Sequence, residues 1–174
     1  MRSTPDTGTD GAKVMKNSRT NVARLLEAAG IPCGEYRYDI TDGAIDAVSV
    51  ARKLGEPAEQ VFKTLVTISN QHDFFVFAVP AAEELDLKKA ARAVGRKSIE
   101  MLPLKQLLPL TGYVHGGCSP IGMKKKFPTV IDETAQLFDH ICVSAGCVGC
   151  NIAVEPVALA RFIDAEFFDI VKEK

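Results

Sequence analysis

Apolar residues recur every three or four positions in several segments of the chain, which is the spacing of one face of an α-helix. The first such segment begins near Ser18 or Thr20, carries Leu25 on its apolar face, and ends at Gly30. Five helices are predicted in this way, at about 20–29, 46–54, 87–94, 103–109 and 156–163.

Other segments alternate between apolar and polar residues or are rich in β-branched and aromatic residues, which is typical of strands. Residues 35–40 place Tyr36, Tyr38 and Ile40 on one face of a predicted strand. Residues 61–69 and 73–79 are joined by a short polar turn and predict a hairpin. Shorter strands are predicted at 98–101, 129–131 and 141–144, and the glycine- and proline-rich region 112–128 is predicted to be a structured loop with short strands. Hairpins mixed with helices, without a regular β-α-β rhythm, favour an α+β fold.

The length and composition predict one folded domain. Residues 1–17 are rich in Thr, Gly and Asp and are predicted to form a disordered leader or extension. Residues 18–174 contain no internal repeat or linker, and a chain of 174 residues that is 47% hydrophobic suits a single core.

Several protein classes are excluded by the pattern of apolar residues and cysteines. The longest apolar run, 74–82, is about nine residues, whereas a membrane span needs about 20. The polar N-terminus lacks the apolar core of a secretory signal. Five cysteines, an odd number, without an export signal predict free thiols in a reducing cytoplasm.

The charge of the chain is unevenly distributed. The net charge is −1, but residues 88–126 contain a single acid, Glu100, and carry +8. Their basic residues are Lys88, Lys89, Arg92, Arg96, Lys97, Lys105, Lys124, Lys125 and Lys126. Such a stretch is either a solvated surface or a site of attraction for a polyanion such as nucleic acid.

Lys63 is unusual because it lies in a strand, FKTLVTIS, whose two faces are both largely apolar. A lysine there either extends its ammonium group to water or faces a cleft, since burial of an unpaired charge is costly. In a cleft it would hold a phosphate, a carboxylate or a developing oxyanion.

Two glycine-rich loops are candidate binding elements. Residues 115–122, HGGCSPIG, and 144–151, SAGCVGCN, fit either tight turns or loops whose backbone amides approach a ligand. Neither loop matches a nucleotide-binding motif of the GxGxxG or GxxxxGK[ST] type.

No complete metal or catalytic motif is present. Cys147-x-x-Cys150 is half of a zinc-ribbon pattern, a redox pair, or two incidental thiols, and no second cysteine pair has matching spacing. His72, His115 and His140 show no metal-binding spacing. We therefore predict no metal and no cofactor.

From Thr20 to about Ile170 the chain resembles the YbaK/EbsC group, the free-standing relatives of the prolyl-tRNA synthetase editing domain. The segments that carry the resemblance are VARLLEAAGIPCGEYRYD, VFKTLV, ELDLKKAARAVGRKSIEM, TGYVHGGCSPIGMKKKFPTVID and VSAGCVGCNI. The resemblance implies a mixed, mainly antiparallel, curved β-sheet flanked by helices.

The resemblance also assigns residues. Lys63 would be the signature lysine near the aminoacyl ester, and Ser144 would act with it at the reacting end. The implied substrate-binding residues are Tyr38, Gly116, Gly117, Pro120, Gly146 and Asn151. The implied contacts to the tRNA acceptor stem are Lys88, Lys89, Lys124 and Lys125. The chain departs from the YbaK pattern at Asn151, where an aspartate is usual, and in the GCVGC run.

The activity implied is removal of cysteine from mischarged tRNA for proline, and from tRNA for cysteine, in the cytoplasm. No metal or protein nucleophile is needed, because the thiol of the substrate attacks its own carbonyl. Three alternatives stay open: a deacylase for alanyl- or seryl-tRNA that uses water, an inactive module that binds tRNA or a synthetase, and a zinc-binding module. The implied partners are mischarged tRNA and prolyl-tRNA synthetase, and the protein would be a monomer or a homodimer.

Overall fold

The computed structural model describes residues 13–14 and 19–174. Its α-helices are α1 (Asn21–Ala28), α2 (Ala47–Leu54), α3 (Leu87–Ala93), α4 (Leu107–Thr111) and α5 (Pro156–Ile163). Its strands are β1 (Lys13–Val14), β2 (Cys33–Arg37), β3 (Phe62–Ser69), β4 (Phe74–Pro80), β5 (Ile99–Met101), β6 (Thr129–Asp132), β7 (Ile141–Ser144), β8 (Cys150–Val154) and β9 (Ala165–Phe168). Short 3-10 helices occupy Ala58–Gln60, Leu104–Gln106 and Glu133–Leu137. Apart from Lys13–Val14, the predicted leader at 1–17 lies outside the described residues, and its predicted boundary with the domain stays a prediction.

The strands form two sheets that meet near the start of β3. The first sheet has the order β1-β2-β8-β7 and is antiparallel throughout. The second has the order β5-β3-β4-β6-β9, with antiparallel pairs on one side of β4 and parallel pairs on the other. A parallel bridge between Val61 and Cys142 joins the sheets. The predicted α+β fold with a mixed, mainly antiparallel sheet and flanking helices is confirmed.

The helix ends follow the local sequence. The Thr20 side chain accepts a hydrogen bond from the Ala23 amide at the start of α1, and Asp46 does the same for Ser49 at the start of α2. Gly55 ends α2 with a positive φ of 71°, a conformation that costs glycine little. These caps fix where α2 begins and ends, and α2 forms one wall of the candidate site.

The hydrophobic core has a layered arrangement. The largest cluster lies between the sheets and includes Leu26 of α1, Leu159 of α5 and Ile152 of β8. A second cluster packs α3 against β4, and a third packs α2 against β7. Strand β4 is buried along nearly its whole length, so it is the centre of the fold.

Some local predictions were wrong. Strands β8 and β9 were not predicted, and residues 112–128 contain no strand where short strands were expected. On β2 the buried residue is Glu35 rather than Tyr36. The strand ends at Arg37, so Tyr38, which is buried, and Ile40, which is exposed, lie beyond it. Glu35 is buried because its carboxylate accepts a hydrogen bond from the Thr20 amide at the start of α1.

None of the helices in the described part of the chain has the length and apolar character needed to span a membrane.

Candidate active site

A cleft of about 620 Å³ opens where α2, the start of β3, the end of β7 and the start of β8 come together. Five of the catalytic and substrate-binding residues predicted from the sequence line this cleft: Tyr38, Lys63, Gly116, Ser144 and Asn151. The rest of the wall is mainly apolar, with residues such as Val48, Val50, Phe62, Leu65 and Leu87. A mostly apolar pocket with a few placed polar groups is the usual form of a small-ligand site.

Strand pairing explains why Lys63 and Ser144 meet in this cleft. Val61 and Cys142 form a parallel bridge. Lys63 lies two positions after Val61, and Ser144 lies two positions after Cys142. Side chains two apart on a strand share a face, so both point to the same side of the joined sheets. Asn151 lies directly opposite Ser144 in the β7–β8 ladder and completes the group.

The ammonium group of Lys63 is half-buried and incompletely paired. Its Nζ donates to the Ala81 carbonyl oxygen at 3.2 Å. Lys63 takes part in none of the ion pairs found among the described residues. Burial lowers its pKa from the ordinary value, against the smaller opposite effect of the nearby Glu84 and Glu83 carboxylates. Because an ammonium group has three N–H donors, two are left for a ligand.

Two buried polar atoms in the cleft have no hydrogen-bond partner: Oδ1 of Asn151 and Oγ1 of Thr64. Asn151 is only 5% exposed, so water satisfies its side chain poorly. Leaving a buried polar group unsatisfied costs about 1–3 kcal/mol, and native proteins rarely tolerate it without a reason. A ligand with a hydrogen-bond donor directed at the Asn151 side chain would satisfy its Oδ1.

Ser144 and Tyr38 supply neutral hydroxyl groups. The Ser144 Oγ accepts a hydrogen bond from the Gly146 amide at 3.2 Å, and its own proton is free to be donated. Tyr38 is buried, which raises the pKa of its phenol above the ordinary value and keeps it protonated at neutral pH. Both can therefore donate to an ester or a sugar oxygen.

The two glycine-rich loops pack against each other. A side chain on Gly117 would put its Cβ 2.8 Å from the Val148 amide nitrogen, so only glycine fits there. Gly116 has a φ of +84° and lies on the cleft wall, close to Ile45. The loop at 115–122 therefore packs closely on the loop at 144–151 through Gly117. At the neighbouring Gly116, which has no side chain, it presents its backbone to the cleft.

Three predicted substrate-binding residues lie off the cleft wall. Gly117 lies behind it, and Gly146, with a φ of +97°, packs against Tyr113. Pro120 lines a separate cavity of about 230 Å³, together with the predicted tRNA-binding Lys125. A direct role for these three residues in substrate binding stays a prediction.

The predicted tRNA-binding lysines differ in their surroundings. Lys88, Lys124 and Lys125 are exposed. Lys89 instead donates to a carboxylate oxygen of Asp169 at 2.9 Å and to the Val171 carbonyl oxygen at 2.9 Å. It is therefore the least available of the four for a phosphate.

Other residues on the cleft wall were not singled out from the sequence. Lys172 and Glu84 form an ion pair at 2.8 Å, and both line the cleft, as does the buried Cys118. Burial raises the pKa of the Cys118 thiol to about 12, so it is neutral and a poor nucleophile at physiological pH. The position of Lys172 near the end of the chain gave no signal, whereas Cys118 lies inside the glycine-rich loop.

The arrangement lacks an activated protein nucleophile. Among the described residues, the Ser144 hydroxyl has no hydrogen bond to an imidazole or a carboxylate. What the cleft does offer is the ammonium group of Lys63, a second cation on Lys172 that is paired with Glu84, neutral hydroxyl donors and unsatisfied acceptors. Such a set orients and polarises an already reactive ligand.

Comparison with known proteins gives consistent results. Residues 41–162 match the family model of the aminoacyl-tRNA editing domain. The chain is 43% identical over 163 residues to the proposed Cys-tRNA(Pro)/Cys-tRNA(Cys) deacylase EbsC of Enterococcus faecalis, covering 94% of this chain and 99% of that protein.

More distant relatives agree with these matches. The chain is 26% identical over 141 residues to the proline–tRNA ligase of Shouchella clausii, covering 80% of this chain but only 25% of the ligase. The crystal structure of a proposed trans-editing enzyme for prolyl-tRNA synthetase shares the fold, with a TM-score of 0.74 and 23% identity over 90% of this chain and all of that one.

Proposed function

Because the chain belongs to the aminoacyl-tRNA editing domain family, we propose that it is a free-standing deacylase that removes cysteine from mischarged tRNA for proline and from tRNA for cysteine. The enzyme class, aminoacyl-tRNA deacylase, follows from family membership. The amino acid, the tRNA and the chemical route are the parts proposed.

One observation carries the proposal. Lys63, Ser144 and Asn151 converge on one cleft in a chain that is 43% identical to EbsC along nearly its whole length. The cleft volume of about 620 Å³ is within the range of about 300–1,000 Å³ for small-ligand pockets. It suits the terminal adenosine and its aminoacyl group, while the acceptor stem stays outside.

Each polar group of the cleft has a role in this proposal. Lys63 points its two unused N–H donors at the ester oxygens, where negative charge develops as the carbonyl is attacked. Ser144 donates to the same region, and the Asn151 Oδ1 accepts from the α-ammonium group of the amino acid. The unpaired state of these groups in the free protein supports the assignment, since ligand binding would satisfy them.

The proposed reaction uses the thiol of the substrate. The cysteinyl sulfur attacks the ester carbonyl carbon, so a C–S bond forms as the C–O bond to the ribose breaks. The thiol proton passes to the departing ribose oxygen, and the products are a cyclic thioester and free tRNA. The neutral Cys118 and the unactivated Ser144 support this route, because neither is prepared to attack.

The acceptor stem would contact exposed lysines outside the cleft. Lys88 directly follows the cleft residue Leu87. Lys124 and Lys125 belong to the exposed run of three lysines at 124–126. We include Lys89 only as a weaker contact because of its ion pair with Asp169. Prolyl-tRNA synthetase stays a proposed partner.

A panel of mischarged tRNAs tests the proposal. Cys-tRNA(Pro), Cys-tRNA(Cys), Ala-tRNA(Pro) and Ser-tRNA(Pro) are incubated with the enzyme, and the remaining charged tRNA is measured over time. Alanine is the matched control, because it differs from cysteine only by the thiol. We expect cysteine to be released about a hundredfold faster than alanine, as an intramolecular nucleophile allows. Equal rates would indicate attack by water, and binding without turnover of any substrate would indicate an inactive module.

A further inference from the structure

A second group of chemically active side chains lies close to the cleft but outside it. Glu56, His140 and Cys142 place a carboxylate oxygen, an imidazole nitrogen and a sulfur within 4.8 Å of one another. None of the three lines the cleft. The sequence did not reveal this group, because Glu56 is far along the chain from the other two.

The backbone fixes Glu56 and His140 in place. Glu56 follows the left-handed Gly55 at the end of α2, and its amide donates to the Ala51 carbonyl oxygen at 3.0 Å. The Gln60 side chain donates to the His140 carbonyl oxygen at 2.8 Å. The Nε2 atom of His140 then lies 3.1 Å from Oε1 of Glu56. Two ligand atoms are thus already in contact.

Cys142 supplies a buried third ligand. It is fully buried on β7, two residues before Ser144. Burial, with a smaller contribution from the Glu56 carboxylate, raises the pKa of its thiol to about 12. A cation bound beside the Cys142 sulfur would stabilise its thiolate form, which is the form that ligates a metal.

We propose that Glu56, His140 and Cys142 form a zinc site with three protein ligands and one position open to water. In a tetrahedral zinc site the N and O ligands lie about 3.3 Å apart, and sulfur lies about 3.6 Å from either. The 3.1 Å contact between His140 Nε2 and Glu56 Oε1 is close to the first value, and the Cys142 sulfur lies within 4.8 Å of both atoms, so side-chain adjustments of about 1 Å would complete the site. A thiolate combined with an imidazole favours zinc over magnesium or calcium. The ion enters from the His140 side, where 41% of the side chain is exposed.

The position of the site assigns it a structural role. It would join the end of α2, which lines the cleft through Val48 and Val50, to the strand that carries Ser144. Zinc would therefore hold two walls of the cleft at a fixed separation. Since no ligand is a cleft residue, this inference does not depend on the identity of the substrate.

Cobalt binding tests the site without reference to activity. Metal-free protein is titrated with Co²⁺, whose bond to a thiolate gives a near-ultraviolet charge-transfer band, and Zn²⁺ is then added to displace it. We expect one Co²⁺ per chain in the wild type and at least a tenfold weaker affinity in His140→Ala. Zinc at about a hundredfold excess over its Kd should also raise the wild-type Tm by about 5–10 °C. That rise should be absent in His140→Ala.

Cysteine variants identify the sulfur ligand. Cys142→Ser should abolish the charge-transfer band, whereas the double variant Cys147→Ser and Cys150→Ser should keep it. If the double variant loses the band and Cys142→Ser keeps it, the metal binds at the CxxC pair and the proposal is wrong. If Cys142→Ser does not fold, the Co²⁺ affinity of His140→Ala decides whether the site exists, because His140 is half-exposed and its replacement should leave the fold intact. Wild-type protein that shows no band, or His140→Ala with unchanged affinity, would also overturn the proposal.

Discussion

Replacement of Lys63 by methionine tests the proposed catalytic role of its charge separately from any structural role. Methionine keeps most of the half-buried stem but removes the ammonium group. In the folded protein that group has one hydrogen bond, to the Ala81 carbonyl oxygen, and no ion pair among the described residues. The variant should therefore fold normally and react slowly.

The expected loss of activity comes from one charge-assisted hydrogen bond in the transition state. Such a bond contributes about 1.5–3 kcal/mol, so kcat/KM should fall about 10- to 150-fold. If the bond forms only as charge develops on the ester, the loss appears in kcat and KM changes little.

The expected change in stability is small because two effects oppose each other. The lost hydrogen bond to Ala81 is worth about 0.5–1.5 kcal/mol. Burial lowers the pKa of Lys63 in the folded protein. Below that pKa the buried charge lowers the free energy of unfolding, and this loss of stability declines as the pH rises through the folded pKa. Methionine removes this penalty at neutral pH. The Tm should therefore change by no more than about 3 °C in either direction.

The assay is single-turnover release of radiolabelled cysteine from Cys-tRNA(Pro), with a thermal melt of each variant. Lys174→Met is the matched control, because Lys174 is exposed, pairs with Glu83 and lies outside the cleft. It should react at the wild-type rate. Lys63→Met activity within twofold of wild type would refute the assigned role, as would a loss of activity explained by unfolding.

Three further predictions follow from buried or paired groups. Asn151→Leu removes an unsatisfied acceptor, so it should raise stability by about 1–3 kcal/mol while lowering kcat/KM at least about tenfold; lower stability with full activity would contradict this. Gly117→Ala places a Cβ 2.8 Å from the Val148 amide nitrogen and should lower stability by about 1–3 kcal/mol in urea unfolding. The hydrogen bond from Arg96 lowers the pKa of Asp73 from 3.8 to about 2, so its contribution is present above pH 3.8 and lost as the pH falls through about 2. Asp73→Asn should therefore have a lower Tm than wild type at pH 7, and the difference should shrink towards pH 2.

The parts of the fold set by local chemistry were predictable from the sequence. The β3–β4 hairpin follows from two β-branched runs separated by a polar turn, and α2 ends at Gly55 as expected. Strand β8 was missed because it directly follows Gly149 in a glycine-rich run that has the composition of a turn. It becomes a strand through its pairing with β2 and β7, which is a long-range effect.

The candidate site was likewise predictable where a residue is locally unusual, and not where long-range packing places it. Lys63 was identifiable because a lysine between two apolar faces needs an explanation, and the parallel bridge of Val61 to Cys142 then brings it to Ser144. Lys172 could not be identified, because only tertiary packing carries the C-terminal segment to the cleft, through a bridge of the neighbouring Val171 to Leu85. Local sequence patterns thus identify residues whose type does not fit their predicted element. They do not identify residues that only tertiary packing brings to the site.

The positions of the unsatisfied polar atoms support the proposed ligand site. In the described part of the chain, four buried side-chain atoms lack partners, on Glu35, Arg37, Thr64 and Asn151. Glu35 and Arg37 alternate with Tyr36 on β2, and Tyr36 pairs directly with Asn151, so their side chains point away from the Asn151 face. Of these four residues, only Thr64 and Asn151 line the cleft. Under the proposed function, the substrate would relieve the cost of the unsatisfied Asn151 acceptor, and Asn151 and Lys63 would form a site that needs little reorganisation as charge develops.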